Sequence, residues 1–133
     1  MDYRNERLFV QTYIRKDRRD RLLYELTDPV KRYDGLERFC HHAADLLDMN
    51  KVMMTGEDLE RTDRFQSFAD KHKEDCVLLS PDGNIDGLVL PFRNAVDTAV
   101  ACFDAVIILG DRFALVMGEV MKGGRGKHLL ADK

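Results

Sequence analysis

The sequence lacks long apolar runs, internal repeats and low-complexity tracts. Its most apolar stretch, 95–109, contains Asp97, Thr98 and Asp104, whereas a membrane-spanning helix needs about 20 predominantly apolar residues. The first residues carry charges of both signs, unlike the start of a signal peptide. We therefore expect a chain that has no membrane partner and stays in the cytoplasm.

Cysteine is scarce, with three residues at positions 40, 76 and 102. The number is odd and there is no Cys-x-x-Cys pair, so the pattern does not indicate a disulfide framework. Each cysteine lies in an apolar surrounding, which favours buried free thiols in a reducing compartment. This agrees with a cytoplasmic location.

Residues and motifs typical of catalysis are scarce too. The sequence contains no G-x-S-x-G, H-E-x-x-H or G-x-G-x-x-G motif. Its only serines, Ser67 and Ser80, fall inside a predicted helix and directly before a proline, so neither suits a serine nucleophile. Cys76 and Cys102 lie in apolar runs, where burial raises the pKa of a thiol and makes it a poor nucleophile. The sequence therefore favours a protein that is not an enzyme and names no catalytic residue.

A clearly basic balance is absent. The net charge is −3, whereas a domain that follows a phosphate backbone is usually basic, so nucleic-acid binding ranks last. The charge is segregated, with +2 over 1–38, −8 over 39–111 and +3 over 112–133. Either the acidic middle supplies solvated helix faces, or it meets the basic ends of a second copy of the chain.

The composition itself is that of a folded domain. Apolar residues make up 44% of the 133 residues and charged residues 34%, which is typical of globular rather than disordered chains. A chain of this length supports one hydrophobic core, and no linker divides it, so we predict a single domain over 1–133. Its last segment, 122–133, is basic and glycine-rich, and we expect a flexible tail there, although Leu129 and Leu130 favour a docked segment.

Apolar spacing predicts the order of helices and strands. Strands are predicted over 6–14, 51–55, 76–80, 85–90, 105–109 and 113–117. Helices are predicted over 15–26, 34–47, 56–73 and 91–103. The implied hairpins exclude a purely parallel sheet. We predict an α+β fold with a mixed or mostly antiparallel sheet, covered by about four helices chiefly on one face.

The string Asp82-Gly83-Asn84-Ile85-Asp86-Gly87 matches the first six positions of a calcium-binding loop. In such a loop the oxygens of Asp82, Asn84 and Asp86 converge on one cation while a glycine makes the sharp turn. The twelfth position is Arg93 instead of a bidentate glutamate, and the flanking segments are predicted strands. Asp, Asn and Gly are equally typical of two successive turns. A plain loop is therefore favoured over a divalent metal site.

A second candidate metal site lies on the predicted helix 34–47. His41 and Asp45 are four residues apart and share a helix face, whereas the adjacent His42 points about 100° away from His41. A zinc site needs further ligands, which His72, His128 or Cys76 could supply only through tertiary contacts. We favour histidines at the boundary of the core and no cofactor.

Four cationic residues, Arg93, Arg112, Arg125 and Lys127, are candidates for holding a small anion. Two of them lie in the glycine-rich segment 123–128, whose backbone and cations could cradle a phosphate. The segment is not a P-loop, because Met121 replaces the required glycine and His128 the required Ser or Thr. An enzyme or sensor for a phosphate or carboxylate, with Asp82, Asp86 or a histidine as acid or base, is the alternative function.

The favoured function rests on two observations. No catalytic motif is present, and charge of opposite sign is segregated along the chain. We expect a small non-enzymatic domain that acts by binding or association and that forms a homodimer.

Overall fold

The computed structural model of the chain describes residues 3–120 and 125–132. Within these residues there are six α-helices: α1 (Arg4–Tyr13), α2 (Arg19–Leu26), α3 (Arg32–His41), α4 (Ala43–Leu46), α5 (Asp63–Lys71) and α6 (Phe92–Ala101). There are six strands: β1 (Val52–Thr55), β2 (Asp75–Leu79), β3 (Val89–Pro91), β4 (Val106–Leu109), β5 (Phe113–Met117) and β6 (Lys127–Ala131).

The strands form one sheet in the order β1-β6-β5-β4-β2-β3, and every neighbouring pair is antiparallel. The β4–β5 hairpin turns at Asp111 and Arg112, since the N–H of Gly110 donates to the carbonyl of Phe113 at 2.9 Å. β1 and β3 are the two edges. The predicted α+β class is confirmed, and the sheet of the described residues is antiparallel throughout.

Helices cover both faces of the sheet. Val106 and Ile108 of β4 pack with α5 and α6 in one apolar cluster. The alternate residues Ile107 and Leu109 pack with α1, α2, α3 and α4 in a second cluster, because successive side chains of a strand point to opposite faces. The helices therefore lie chiefly on one face, as predicted, with two of the six on the other.

The predicted first strand over 6–14 is wrong, since these residues lie in and just after α1. The buried residues Glu6, Phe9, Val10 and Tyr13 recur at three- and four-residue spacing, while Leu8 is 45% exposed. That spacing places them on one helix face. β-Branched and aromatic content indicated a strand, but a short apolar run does not distinguish the two structures.

The predicted strand 85–90 is shorter and later than expected. Residues 83–87 form turns and only Val89–Pro91 is extended. A positive φ of 89° at Gly87 makes the last turn, a conformation that glycine adopts without strain. Asp86 lies in this turn, three residues before the start of β3.

The flexible tail predicted over 122–133 is also wrong where the structure describes it. Lys127–Ala131 is strand β6, which lies inside the sheet between β1 and β5. The docked segment indicated by Leu129 and Leu130 is confirmed, since both are fully buried. Gly123 and Gly124 lie outside the described residues.

The predicted helix 56–73 begins later, as α5 at Asp63. The hydroxyl of Thr62 accepts a hydrogen bond from the N–H of Phe65 at 3.2 Å and caps the helix. Thr55, the predicted cap, instead donates its hydroxyl to the carbonyl of Lys127 at 2.9 Å. That contact helps to join β1 to β6.

Two of the three predicted free thiols are confirmed. Cys76 and Cys102 are buried and unpaired, whereas the side chain of Cys40 lies outside the described residues. Among the described residues, no helix is long and apolar enough to cross a membrane.

Candidate functional site

A cavity of about 390 Å³ opens beside the edge strand β3. Its apolar wall is formed by Val77, Leu79 and Val89. Polar groups come from the other side, where the start of α1 and the start of α3 approach the 82–87 turn: Tyr3, Asn5, Glu6, Arg32 and Asp86. A concave apolar surface with a few converging polar groups is typical of binding sites in proteins.

Arg32 lies at the centre of the polar wall. Its Nε and Nη2 donate to the two carboxylate oxygens of Asp86, both at 2.9 Å. Its Nη1 donates to Oε2 of Glu6 at 2.6 Å and to the carbonyl of Leu26 at 3.0 Å. The three charged side chains are 15%, 23% and 8% exposed for Arg32, Asp86 and Glu6. This Arg32 network ties α1 and α3 to the turn that precedes β3.

The Arg32 network carries a net negative charge. Burial opposes the charge of Arg32, but the hydrogen bonds and charges of Asp86 and Glu6 outweigh burial and raise its pKa. The guanidinium is thus a permanent cation that faces two carboxylates. Within the described residues Oε1 of Glu6 accepts no hydrogen bond, although the residue is only 6% exposed. One carboxylate oxygen at the cavity is left to interact with something else.

The backbone of β3 is open on its outer side. The N–H of Leu78 donates to the carbonyl of Leu88 at 2.9 Å, and the N–H of Phe92 donates to that of Glu74 at 3.1 Å. Bonded and non-bonded pairs alternate along an antiparallel ladder, so Val89 and Pro91 direct their backbone groups away from β2. Val89 is 58% exposed. The outer edge therefore offers the N–H and carbonyl of Val89, whereas Pro91 is the N-cap of α6 and its carbonyl accepts the first hydrogen bond of that helix.

The opposite edge, β1, is irregular. Its pairing with β6 shifts between Val52 and Met54, which inserts one extra residue as a β-bulge. The N–H of Gly56 donates to the carbonyl of Lys127 at 3.2 Å, so the alternation turns Met54 toward β6 and Thr55 away from it. Val52 lies opposite Leu130, whose backbone groups face β5. The outward groups of β1 are consequently three residues apart instead of two.

The predicted metal loop is divided between two surroundings. Asp86 binds Arg32 and also accepts the N–H of Ser80 at 3.2 Å, whereas Asp82 accepts the N–H of Asn84 at 2.9 Å. These bonds are those of successive turns. Asp82, Asn84 and Asp86 thus do not converge on one point as calcium ligands would.

Asp82 instead lies beside Cys102 and Asp104. A carboxylate oxygen of Asp82 is 3.8 Å from Sγ of Cys102, and both lie near Asp104 within 4.8 Å. Burial, with the charges of Asp82 and Asp104, raises the pKa of the Cys102 thiol. A metal ligand must be the thiolate, so this arrangement favours a protonated, buried thiol.

The predicted His41–Asp45 pair is separated by a break in the helix. α3 ends at His41 and α4 begins at Ala43, so the four-residue spacing no longer places the two side chains on one face. His41 contacts Glu119 through Nδ1 at 3.0 Å and Glu37 through Nε2 at 3.8 Å. The two carboxylates therefore lie at different nitrogens of the imidazole ring. His72, His128 and Cys76 lie outside this group.

The four predicted anion-binding residues are not brought together. Arg125 is buried and donates to the carbonyls of Gly118, Ala99 and Asp104 at 2.5, 2.7 and 2.9 Å, which closes the C-terminal end of α6. Lys127 is buried and donates to the carbonyl of Glu57 and, at 2.7 Å, to the carboxylate of Glu60. Both cations hold the fold together.

The other two cations lie elsewhere on the surface. Arg93 donates to Gln66 at 3.0 Å and to Asp70 on α5. Arg112 lies in the β4–β5 turn at the start of β5, whereas Arg125 contacts Gly118 at its end. The length of the strand alone separates them by on the order of 15 Å.

Sequence reasoning missed Glu6 and Arg32. A signal existed for Glu6, because on a helix it falls on the same face as Phe9, Val10 and Tyr13, and an acid on a buried face implies a partner. No signal pointed to Arg32, which is 54 residues from Asp86.

Comparison with known proteins adds no relative. No protein-family model matches the sequence, and no curated protein or solved structure shows significant similarity to it.

Proposed function

We propose that the chain is a binding module, not an enzyme, and that it takes up an extended segment of another polypeptide along the outer edge of β3. The observation that carries the proposal is the outward-facing backbone of Val89, on an edge strand without a bulge, beside the cavity. Strand addition to an open sheet edge derives affinity from main-chain hydrogen bonds and specificity from adjacent pockets.

The side-chain positions of an added strand follow from the pleat. A residue opposite Val89 points to the same face of the sheet as Val89, which is the face of the cavity. Its two neighbours point to the other face. One side chain of the bound segment is therefore presented to the Arg32 network, and this gives the site a means of selecting its segment.

A reducing compartment such as the cytoplasm is part of this proposal. Cys76 and Cys102 are both unpaired thiols in the apolar core, and burial raises the pKa of Cys76 to about 12. Thiols of this kind are typical of proteins that do not depend on disulfides.

The test is selection of linear peptides from a displayed random library on the immobilised chain. Peptides that bind at β3 bind Val89→Pro at least about tenfold more weakly than the wild type, because proline lacks the amide donor. The matched control Val89→Thr keeps the amide and a β-branched side chain, so it binds as the wild type does. Thermal unfolding of both variants checks that each is folded. Failure to select any peptide, or equal binding to Val89→Pro, would overturn the proposal.

Self-association as a homodimer is a second proposal, supported by a separate surface. Phe103 is 79% exposed, with Val100 and Val120 at 43% and 47%, and the N–H of Val120 donates to the carbonyl of Phe103 at 2.9 Å. An exposed aromatic residue flanked by apolar neighbours is typical of interfaces.

Sedimentation equilibrium tests this second proposal. A wild-type mass of twice the monomer that falls toward one monomer in Phe103→Ser supports it. Val30→Ser, which removes an 86% exposed valine elsewhere, serves as the control and keeps the wild-type mass. A wild type that is monomeric at about 100 µM would exclude a homodimer of ordinary affinity.

A further inference from the structure

We infer that the cavity beside β3 accepts a lysine or arginine side chain from the segment added to that edge. The inference rests on the proposed strand addition and specifies which segments the module selects. Its basis is the charge of the cavity wall and the free carboxylate oxygen of Glu6.

The charge of the cavity selects for a cation. Glu6 and Asp86 face a single guanidinium, that of Arg32, and the remaining polar side chains at the wall, Tyr3 and Asn5, are neutral. The low local dielectric of a partly closed cavity strengthens an ion pair made there. An acidic side chain would meet two carboxylates and an arginine that is already paired with them.

The hydrogen-bonding groups also match a cationic head group. Arg32 uses Nε, Nη1 and Nη2 within the network, so it has little capacity left for an acceptor on a ligand. Oε1 of Glu6 can accept, and so can the amide oxygen of Asn5 and the hydroxyl oxygen of Tyr3. Lysine and arginine carry donors only, whereas a carboxylate carries acceptors only.

The apolar wall suits the remainder of such a side chain. Val77, Leu79 and Val89 line the path from the sheet edge to the Arg32 network. Lysine and arginine bury their methylene groups on apolar surface while the charged end reaches a polar partner. A short polar residue such as serine would not span this wall.

The experiment uses peptides selected on the wild-type chain from a random displayed library. The expected result is a lysine or arginine at one fixed position among the enriched sequences. In the tightest peptide, replacing this residue by norleucine lowers affinity for the wild-type chain about tenfold, and Glu6→Gln lowers the affinity of the unchanged peptide by a similar factor. Asp111→Asn, which removes one charge from the exposed β4–β5 turn, leaves affinity unchanged.

The outcomes separate the inference from the proposed function. Peptides that need the amide of Val89 but show no basic position, or that bind norleucine equally well, overturn the inference and leave strand addition standing. Peptides that bind Val89→Pro as tightly as the wild type overturn both. The norleucine substitution is made in the peptide, so the inference stays testable even where Glu6→Gln is poorly folded.

Discussion

The edge strands β1 and β3 each have one neighbour within the described residues, but they present their free backbone groups differently. β1 has four residues and carries a bulge. The bulge places its outward backbone groups at Val52 and Thr55, three residues apart instead of the two residues of a regular strand. β3 has three residues, carries no bulge and presents the backbone groups of Val89 outward. Bulges are a common means of preventing strand addition, so the longer edge is the protected one.

The charged residues beside the two edge strands also differ. Beside β1 the buried Lys127 pairs with Glu60 and the carbonyl of Glu57, so the charges there are matched internally. Beside β3 the Arg32 network has two carboxylates and one guanidinium, and it borders a cavity. β1 is thus an irregular edge with internally matched charges, whereas β3 is an edge without a bulge beside a network that carries a net negative charge.

The largest expected effect comes from breaking the Arg32 network. Arg32→Met leaves Glu6 and Asp86 as nearly buried carboxylates without a cation, and we expect the free energy of unfolding to fall by about 4 kcal/mol. Urea unfolding followed by circular dichroism measures it. Arg15→Met is the control, since Arg15 and its partner Asp17 are 48% and 61% exposed and their pair is worth under about 1 kcal/mol. Equal losses in the two variants would show that the network does not hold the β3 edge.

The next effect tests the charge pair beside β1. We expect Lys127→Met to lower the free energy of unfolding by about 3 kcal/mol at neutral pH, because Glu60 then lacks its partner. Burial opposes the charge of Glu60, yet the hydrogen bond from Lys127 and its charge outweigh burial and hold the pKa of this carboxyl below 4.5. A carboxyl whose pKa is lower in the folded state than in the unfolded state stabilises the fold. Its contribution to the free energy of unfolding is full above the unfolded-state pKa and is lost as pH falls through the folded-state pKa.

The pH dependence of that variant is therefore specific. The difference in unfolding free energy between the wild type and Lys127→Met is largest above about pH 5 and shrinks as pH falls below 4.5, the ordinary value for glutamate. Lys51→Met serves as the control, because Lys51 and Asp132 are 3.6 Å apart and 27% and 46% exposed. A difference that stays constant down to pH 3 would mean that Glu60 is not the partner that matters.

The contrast between the edges also shows what local sequence can and cannot reveal. Strand 113–117 was predicted with its observed bounds, because continuous apolar character is a local property. β6 was missed because Lys127 was assigned to a flexible basic tail, and its partner Glu60 is 67 residues away. Asp86 was considered only as a metal ligand or an acid–base group, since its partner Arg32 is likewise remote in sequence. Residues that pair across the fold define both edges, and their spacing in the chain carries no signal.

The sharpest test of the comparison is to remove the bulge from β1. Deleting Met53 leaves Val52 opposite Leu130 and Met54 opposite Leu129, so Val52 and Thr55 become two residues apart and the edge becomes regular. The N–H of Val52 already donates to the carbonyl of Met49, so the outward groups of the regular edge would be the carbonyl of Val52 and the N–H and carbonyl of Thr55. We expect the deletion variant to associate with rising concentration in sedimentation velocity, beyond any association of Met53→Ala, which loses the side chain but keeps the bulge. If the two variants sediment alike, the bulge is not what closes this edge, and the regular geometry of β3 would lose its meaning as a mark of availability.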